Sequence, residues 1–374
     1  MPIEFNILPH PKKLLIAPLD WGLGHATRCI PLIQWLLQNG HQVTIAASGP
    51  VQQLLQQEFP EAQFIYLSGY HINYSHNKRW FNWTIAVQAP KILATILKEH
   101  YWLKKVLKTS AFDAIISDNR FGLWNKSVPS VYITHQLQIL TGSKVGNVIA
   151  NSIHHWFIRR FHQCWVPDIQ TAPGIAGILS HPTNSITTVK YIGTLSRFEP
   201  VEQLDFQYNL LVLISGPEPQ RSVFEQLICT QLKGYKGNVL LVRGLPANAH
   251  LSSKAILQQY GLENQPIEIE NHLPAAALSK ALQSAQYIIC RSGYTTVMDL
   301  IRLKKTALMV PTPGQTEQEY LAKHLQQQGI FKHAQQAQLQ LLKDMEALQA
   351  FVPTFPDAPM DLYKNCLAQF VDSL

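Results

Sequence analysis

The sequence is poor in charge and contains no long apolar run. Charged residues make up only 15% of its 374 residues, and nothing in the composition indicates disorder. No window reaches the roughly 18 apolar residues that a transmembrane helix requires. The amino terminus has no charged segment followed by an apolar one, so we predict no signal peptide and a cytoplasmic protein.

Cysteine is also scarce, and its pattern excludes two classes of site. The five cysteines are scattered, no two form a CxxC pair, and their number is odd. We therefore expect reduced thiols packed as small apolar side chains, with no disulfide framework and no metal site.

What the sequence does contain is a large apolar fraction and an uneven charge. Its 46% hydrophobic residues and its length suit two domains of about 100–200 residues each. Residues 1–200 hold 17 Lys and Arg against 9 Asp and Glu, a balance of +8, whereas residues 201–374 hold 14 against 15, a balance of −1. A basic half predicts an anionic partner such as a phospholipid surface or a lipid phosphate; a lysine-rich solvated surface is an equally open interpretation.

Short apolar runs alternate with helical patterns, which predicts parallel sheets with helical crossovers. In the first half, the predicted strands are Leu14–Pro18, Gln42–Ala47, Gln63–Leu67, Ala114–Ser117, Ser130–Thr134 and Lys190–Gly193. The predicted helices there include Thr27–Asn39 and Trp80–Lys108. In the second half, the predicted strands are Leu210–Ser215, Asn238–Val242, Ile267–Glu270, Tyr287–Cys290 and Ala307–Val310. Its predicted helices are Glu218–Leu232, Leu251–Tyr260, Pro274–Gln283, Thr295–Leu303 and Glu317–Gln328.

The fold class that follows is α/β, with two doubly wound Rossmann-like domains facing a cleft. The polar stretch Ser196–Gln207 is interpreted as the linker, so the domains span residues 1–200 and 201–352. Residues 353–374 contain three prolines and then a predicted helix at Asp361–Phe370, interpreted as a tail that can return to the first domain. Ligands of doubly wound sheets bind beyond the carboxyl ends of the strands, so the loops there are the candidate sites.

The first candidate loop is Asp20–His25, which follows the first strand and opens a helix. Gly22 and Gly24 permit a tight turn, and the free N–H groups of a helix start favour an anion. His25 can act as a base or as a phosphate ligand near neutral pH. The alternative is an ordinary turn in which His25 only caps the helix.

The second candidate loop follows the first strand of the second half. Ser215 and Gly216 with the free N–H groups of this turn can hold a pyrophosphate, and Arg221 can assist. Pro217 and Pro219 lack N–H donors, so an ordinary turn is the alternative.

Two further loops open consecutive helices of the second half. The first loop has small and hydroxyl residues that let a phosphate bind at the helix start, and a carboxylate that can bind the hydroxyls of a ribose. These residues are Arg291, Ser292, Gly293, Thr295, Thr296 and Asp299. The second offers mixed donors and acceptors for sugar hydroxyls, namely Gln315, Gln318 and Glu319. The alternative for the first loop is an ordinary helix start with a capping threonine and an acidic residue in its first turn. The alternative for the second loop is a polar surface turn. Since both loops follow strands of one sheet, we expect them side by side.

The glycine–histidine loop and the segment Tyr287–Ala322 together resemble glycosyltransferase family 28. The resemblance implies a GT-B fold, a nucleotide-diphosphate sugar as donor, and inversion at the sugar. It also implies that His25 lies near the catalytic centre, that Asp299 is the ribose ligand, and that Gln318 and Glu319 stand where the family has donor-sugar glutamines. The first loop reads DWGLGH rather than the more glycine-rich GGTGGH, and position 319 is Glu rather than Gln.

Three other segments are weaker candidates. Ser117–Arg120 and Thr134–Gln136 each follow a strand of the first half and can bind the acceptor, or can be plain polar loops. His154–Trp165 mixes aromatics with two arginines. It is interpreted either as an interfacial helix at an anionic membrane or as a core helix with a basic outer side.

The mechanism expected from these residues is a metal-independent hexosyl transfer. The second domain binds the nucleotide, with uridine diphosphate as the expected carrier, through backbone N–H groups and Arg291, which stabilise the leaving diphosphate. His25 or Asp20 takes the proton of the acceptor hydroxyl, which can be lipid-linked. A nucleotide-sugar epimerase of the same fold and a non-catalytic nucleotide-sugar-binding protein are the alternatives.

Overall fold

The computed structural model describes residues 11–70, 88–183, 189–202, 204–245, 252–358 and 361–374. The chain divides into two compact units. The first unit runs to Arg197 and includes the C-terminal segment from Ala358, and the second runs from Phe198 to Asp357.

The first unit is built on a sheet of seven parallel strands in the order β3-β2-β1-β4-β5-β6-β7. These strands are β1 (Lys13–Pro18), β2 (Gln42–Ala47), β3 (Gln63–Tyr66), β4 (Ala114–Asp118), β5 (Ser130–Ile133), β6 (Gln163–Val166) and β7 (Val189–Tyr191). Its described helices are α1 (Leu23–Gln38), α2 (Gly49–Glu58), α3 (Ala89–Thr109) and α4 (Lys144–Ile158), with α11 (Leu362–Asp372) at the end of the chain. The central strands are buried on both faces, as continuous apolar runs in parallel sheets are.

The second unit repeats the plan with six parallel strands in the order β10-β9-β8-β11-β12-β13. These strands are β8 (Tyr208–Leu213), β9 (Val239–Val242), β10 (Ile267–Glu270), β11 (Ala285–Cys290), β12 (Ala307–Met309) and β13 (Lys332–His333). Its described helices are α5 (Gln220–Leu232), α6 (Ser253–Tyr260), α7 (Ala275–Ser284), α8 (Tyr294–Arg302), α9 (Thr316–Gln327) and α10 (Leu341–Gln349).

Each sheet reverses its strand order once, and this determines where a ligand can bind. The reversal lies between β1 and β4 in the first unit and between β8 and β11 in the second. Connections leave the sheet in opposite directions at such a point, so a crevice opens beyond the carboxyl ends of the two strands.

The last helix of the chain, α11, packs in the core of the first unit. Its apolar face is buried together with residues of α1, and the rings of Phe370 and Trp165 meet edge to face with centroids 5.3 Å apart. About 25 cal/mol per Å² of buried apolar surface stabilises such a helix, which is too short to persist alone.

The predicted α/β class with two doubly wound sheets is confirmed. Strands Gln42–Ala47 and Ile267–Glu270 were predicted with the observed bounds. Within the predicted helix Trp80–Lys108, residues 80–87 lie outside the described residues. A short 3-10 helix forms at Gln336–Gln338.

One prediction of secondary structure is wrong. His154–Trp165 is not a single helix, because α4 ends at Ile158 and residues from Gln163 form strand β6 between β5 and β7. Cys164 and Trp165 are fully buried in that strand, so their apolar character belongs to the sheet. Among the described residues, no helix is long and apolar enough to cross a membrane.

Candidate functional site

The loop after β1 gives α1 an open amino terminus. Gly22 precedes the helix with φ +130°, a conformation that residues with a Cβ rarely adopt, and no side chain caps the helix. Gly24 is exposed, and its carbonyl accepts a hydrogen bond from Thr27 Oγ1 at 3.0 Å. His25 therefore stands in the first helical turn beside uncapped N–H groups, at the point where the sheet order reverses.

His25 belongs to a buried network that joins β1, β4 and β5. Its Nδ1 lies 2.8 Å from Asp118 Oδ2, at the end of β4. Arg28, one turn further along α1, donates from Nε to Asp118 Oδ1 at 2.7 Å and also pairs with it through Nη2. Arg28 Nη1 lies 2.8 Å from Nδ1 of His135, which follows β5. Three adjacent strand ends thus contribute to one cluster.

The electrostatics of this cluster favour a neutral histidine beside an ionised carboxylate. Burial lowers the pKa of His25 from its ordinary value, and this effect and that of Arg28 outweigh the opposite effect of Asp118. Burial by itself raises the pKa of Asp118, but the charge of Arg28 and the hydrogen bonds from Arg28 and His25 lower it, so the net shift is downward. Nε2 of His25 has no hydrogen-bond partner among the described residues, and the side chain stays 17% exposed.

The second unit has a matching feature where its own sheet reverses. Ser215 and Gly216 are exposed after β8, and Gly216 has φ +108°. Gly293 precedes α8, which has no side-chain cap, and a Cβ placed on Gly293 would meet nothing within 4 Å. Open space in front of an uncapped helix start is the geometry that binds phosphate.

The loops that open α8 and α9 meet, as the sequence predicts. Ser292 Oγ donates to the carbonyl of Gln318 at 2.8 Å. Thr295 and Thr296 are half-buried in the first turn of α8, and Asp299 is buried further along it.

The polar side chains of α9 hold their own loop. Gln318 Oε1 accepts from the N–H of Thr312 at 2.9 Å, and Glu319 Oε1 accepts from the N–H of Gly314 at 3.0 Å. Gln315 is half-buried and immediately precedes the helix. The side chains of Gln318 and Glu319 thus keep the loop in shape.

Two family models match the chain. Residues 221–360 match the glycosyltransferase family 28 C-terminal domain, and residues 15–143 match glycosyl transferase family 1. The chain is a glycosyltransferase of the GT-B type, and its residues 221–360 resemble the family 28 C-terminal domain. A search of curated proteins gives no match.

Solved structures of the same fold are distant from this glycosyltransferase in sequence. The glycotransferase of kitacinnamycin is 14% identical, with 98% of this chain and 95% of that chain covered and a TM-score of 0.64. MurG of Acinetobacter baumannii is 17% identical, with 97% and 100% covered and a TM-score of 0.56. The spinosyn rhamnosyltransferase SpnG is 13% identical, with 96% and 95% covered and a TM-score of 0.63. At these identities the likeness shows the fold alone.

The carboxylate of Asp20 in this glycosyltransferase is hydrogen-bonded to the backbone. Both carboxylate oxygens accept from the N–H of Tyr70, at 3.1 and 3.0 Å, and Arg120 Nη2 lies 3.7 Å away. A Cβ on Gly69 would lie 2.0 Å from Asp20 Oδ2, so the carboxylate is packed against the chain. This geometry suits a residue that holds the loop better than it suits a base.

Two arginines expected at the diphosphate are instead tied to the protein. Arg221 is buried and donates to Glu218 and to Glu225, at 2.5 Å in each case. Arg291 is also buried; it donates to the carbonyls of Val310, Pro311 and Gln220, and its guanidinium lies 4.0 Å from the ring centroid of Phe224. Both guanidinium groups connect neighbouring loops, which leaves the backbone as the better source of phosphate contacts.

Some residues of the two weaker candidate loops of the first unit join the network around His25, whereas others only support the fold. Asp118 and His135 enter the buried network, whereas Arg120 is buried between Glu99 Oε1 at 2.7 Å and the carbonyl of Pro18 at 2.8 Å. The role of Arg28 was missed because an arginine inside a predicted helix gives no indication that it reaches a strand end. Its spacing of three residues from His25, on one helix face, is the signal that was available.

Proposed function

We propose that this glycosyltransferase transfers a hexose or N-acetylhexosamine from a nucleoside-diphosphate sugar to an acceptor hydroxyl, with inversion. One observation carries the proposal: His25, hydrogen-bonded to a buried aspartate, stands where the sheet of the first unit reverses, and burial lowers its pKa. A histidine of this kind can accept the proton of an acceptor hydroxyl. The family matches do not favour the epimerase or the non-catalytic alternative.

The donor's diphosphate is proposed to bind at the start of α8. The uncapped N–H groups behind Gly293, the turn at Ser215 and Gly216, and the hydroxyl groups of Thr295 and Thr296 support this assignment. Negative charge grows on the diphosphate as the glycosidic bond breaks, and fixed N–H donors stabilise it without reorganising. For this reason we propose a reaction that needs no metal ion.

Asp299, Gln315, Gln318 and Glu319 are proposed to contact the sugars of the donor. A carboxylate accepts hydrogen bonds from both ribose hydroxyls, and amide and carboxylate groups suit the mixed donors and acceptors of a hexose. Uridine diphosphate is the first carrier to test. VinC, a distant structure of the same fold, was solved in complex with dTDP, so thymidine is the second.

The proposed step begins when Nε2 of His25 takes the proton from the acceptor hydroxyl. The acceptor oxygen attacks the anomeric carbon, the bond from that carbon to the diphosphate oxygen breaks, and the diphosphate leaves with the bonding electrons. Asp118 stabilises the imidazolium that forms, because its carboxylate already accepts from Nδ1. Asp20 is the weaker base because its oxygens are engaged with Tyr70.

We also propose that the acceptor is lipid-linked and that the protein contacts a membrane on its cytoplasmic face through α4. Five large apolar side chains of α4 are 49–71% exposed, namely Val145, Val148, Ile149, Ile153 and Trp156. They share one side of the helix, while His154, Phe157 and Ile158 are buried on the other. One apolar side of α4 is buried in the protein core, so the exposed apolar side needs another apolar environment to cover it.

Charge supports an anionic phospholipid surface as that environment. Between Asp118 and Asp168 the sequence has no Asp or Glu but five Lys and Arg. Lys144 and Arg159 are exposed at the two ends of α4, and Arg160 lies over the ring of Trp156 at 3.7 Å. Apolar side chains flanked by cations are typical of helices that lie in the headgroup region.

A panel of nucleotide sugars tests the donor proposal. We expect one nucleoside-diphosphate sugar to raise the melting temperature, since a ligand at 100 times its Kd stabilises the fold by about 2.7 kcal/mol. Incubation of that sugar with lipid and soluble acceptors should then give a glycosylated product of inverted configuration. An epimer formed from the donor alone, or no stabilisation by any nucleotide sugar, would contradict the proposal.

A further inference from the structure

We infer that Arg160, held between the rings of Trp124 and Trp156, binds the phosphate group of an anionic phospholipid, with Lys104 as a second cation beside it. The inference deepens the proposed membrane contact of α4 and rests on it for the choice of a lipid. The site itself follows from contacts within the first unit.

The guanidinium of Arg160 lies against two tryptophan rings. Its central carbon is 3.7 Å from the ring centroid of Trp156 in α4, and 5.0 Å from that of Trp124 in the loop after β4. A guanidinium is planar, weakly hydrated and always charged, so it stacks on aromatic faces. The two rings therefore fix a permanent positive charge in place, and an anion that binds there need not first order a flexible side chain.

The described residues give this guanidinium no hydrogen-bond acceptor and no ion pair, and its buried Nε has no partner. Arg120 of the same unit differs, because its side chain donates to Glu99 and to the carbonyls of Pro18 and Ser68. A buried N–H without an acceptor is unfavourable, and a ligand that supplies oxygens removes that cost. Phosphate suits Arg160, since two of its oxygens can accept from parallel N–H groups of a guanidinium.

Two further basic residues lie around Trp124. His100 of α3 stacks on its ring with centroids 4.4 Å apart, and Lys104 is exposed one helical turn after His100. Partial burial, and then the charges of Lys104 and Arg160, lower the pKa of His100, although its Nδ1 donates to the carbonyl of Gly122. Both cations therefore act on the same small region of the surface.

The segments that form this region contribute no acidic side chain to balance the charge. Glu99 is the one acidic residue in the sequence of α3, and it is buried with Arg120 Nη1 at 2.7 Å from its Oε1. The sequence between Asp118 and Asp168 has no Asp or Glu. Cations without a counter-charge attract an anion, so the expected ligand is negatively charged.

The apolar neighbours of Arg160 favour a lipid over a small soluble anion. Trp156 is 53% exposed and belongs to the exposed apolar side of α4. On α3, Leu97 and Tyr101 lie on the same side as Lys104 and are 70% and 69% exposed. A headgroup phosphate at Arg160 would place its acyl chains beside these side chains, which is the arrangement of cations and apolar groups at a membrane surface.

NMR of the full chain labelled with ¹⁵N-arginine tests the site directly. The probe is dihexanoyl phosphatidylglycerol, a short-chain anionic phospholipid, kept below its critical micelle concentration. We expect the Nε–H signal of Arg160, assigned from Arg160→Lys, to shift and to saturate, while the signal of Arg159 shifts little. Glycerol phosphate, which lacks the acyl chains, should shift the same signal with an affinity roughly tenfold weaker.

Two outcomes of this titration would overturn the inference. An Arg160 signal that does not move with the short-chain lipid would show that no phosphate binds there. Equal affinity for the lipid and for glycerol phosphate would indicate a site for soluble phosphate and would reject the lipid.

Vesicle binding by two neighbouring variants separates the site from general electrostatic attraction. Arg160→Met keeps an unbranched chain between the rings but removes the charge and the donors. Arg159→Met makes the same change in net charge at an exposed position and is the matched control. On vesicles of phosphatidylcholine with phosphatidylglycerol, we expect Arg160→Met to bind at least about tenfold more weakly than the parent protein. Arg159→Met should lose no more than about fivefold, the effect of one cation near the surface.

Equal losses in the two variants would show that Arg160 acts through its charge alone and would overturn the inference. Neither experiment uses a sugar donor, so a failure of the proposed transfer reaction would leave both results unchanged. Conversely, equal losses here with weak binding by Ile149→Ser and Ile153→Ser would reject the phosphate site and leave the contact of α4 with the membrane standing.

Discussion

His25 and Asp118 lie 93 positions apart in the chain, yet their side chains meet at 2.8 Å between Nδ1 and Oδ2. The contact exists because β1 and β4 pair in parallel, so the start of α1 lies beside the end of β4. Arg28 neutralises the same carboxylate from the next turn of α1. The sheet order thus produces a polarised histidine at the place where doubly wound folds bind ligands.

Replacing Gly293 by alanine tests the diphosphate site. The residue has φ −70°, and a Cβ would meet no protein atom within 4 Å, so folding should be unaffected. The new methyl group would stand in the space proposed for phosphate, and we expect the donor Kd, measured by calorimetry, to rise about tenfold. Gly234→Ala, whose Cβ would make only an ordinary 3.6 Å contact with Leu342, is the matched control. Unchanged donor binding in Gly293→Ala would place the diphosphate elsewhere.

Arg221→Ala distinguishes a structural arginine from a phosphate ligand. The change leaves buried Glu225 with Arg243 as its remaining cation, so we expect the free energy of unfolding to fall by about 3 kcal/mol. The donor Kd, measured below the unfolding transition, should stay within about twofold. Lys364→Ala breaks the exposed pair with Asp361 and should cost less than about 1 kcal/mol. A stable Arg221→Ala protein with much weaker donor binding would restore the role expected from the sequence.

His154 should make the protein sensitive to acid. Burial, with a smaller contribution from His155, lowers the pKa of His154 to about 3, whereas an unfolded histidine titrates near about 6.5. Its contribution to stability is therefore present above about pH 6.5 and is lost as the pH falls toward 3, because the unfolded state binds the extra proton. The slope from this residue is about 1.4 kcal/mol per pH unit.

Phenylalanine at position 154 should remove that slope. The ring would pack against Phe121 and Tyr132, as the imidazole does, and the buried Nδ1 that lacks a hydrogen bond would be gone. Urea unfolding followed by tryptophan fluorescence at pH 7, 5.5 and 4.5 measures the effect. Stability that falls as steeply in His154→Phe as in the parent protein would contradict the assignment.

The exposed side of α4 can be tested with vesicles. The double change Ile149→Ser and Ile153→Ser removes apolar surface worth about 1.5–3 kcal/mol for each side chain if it is buried in lipid. We expect binding to vesicles of anionic phospholipid to fall at least tenfold, with no loss of stability. The matched control, Leu342→Ser with Val352→Ser, changes exposed apolar residues of the second unit and should bind normally. Equal binding by both proteins, or loss of a dimer present without lipid, would reject the membrane surface.

The sequence predicted strands well where an apolar run is bounded by polar or turn residues, as at Gln42–Ala47. It failed at His154–Trp165, because aromatic and basic residues continue through the end of α4 into β6 without a change in composition. The end of α4 and the start of β6 are determined by tertiary structure, because Cys164 and Trp165 pair with strands on both sides. Local sequence does not contain that information.

Local sequence located the candidate loops but could not assign every side chain in them. Arg221 and Arg291 stand near glycine turns and so resemble phosphate ligands, yet burial commits both to protein partners. Glu225, four residues after Arg221 on a predicted helix, was the available hint of an internal pair. The partnership of His25 with Asp118 had no such hint, since only the strand order brings them together.

The most direct test is the rate of sugar transfer by His25→Ala with the donor found in the panel. We expect the rate to fall roughly 10²–10⁴-fold, because the acceptor hydroxyl loses its base, while the donor Kd and the melting temperature stay close to those of the parent protein. Transfer at nearly the parental rate in a folded His25→Ala protein would contradict the account.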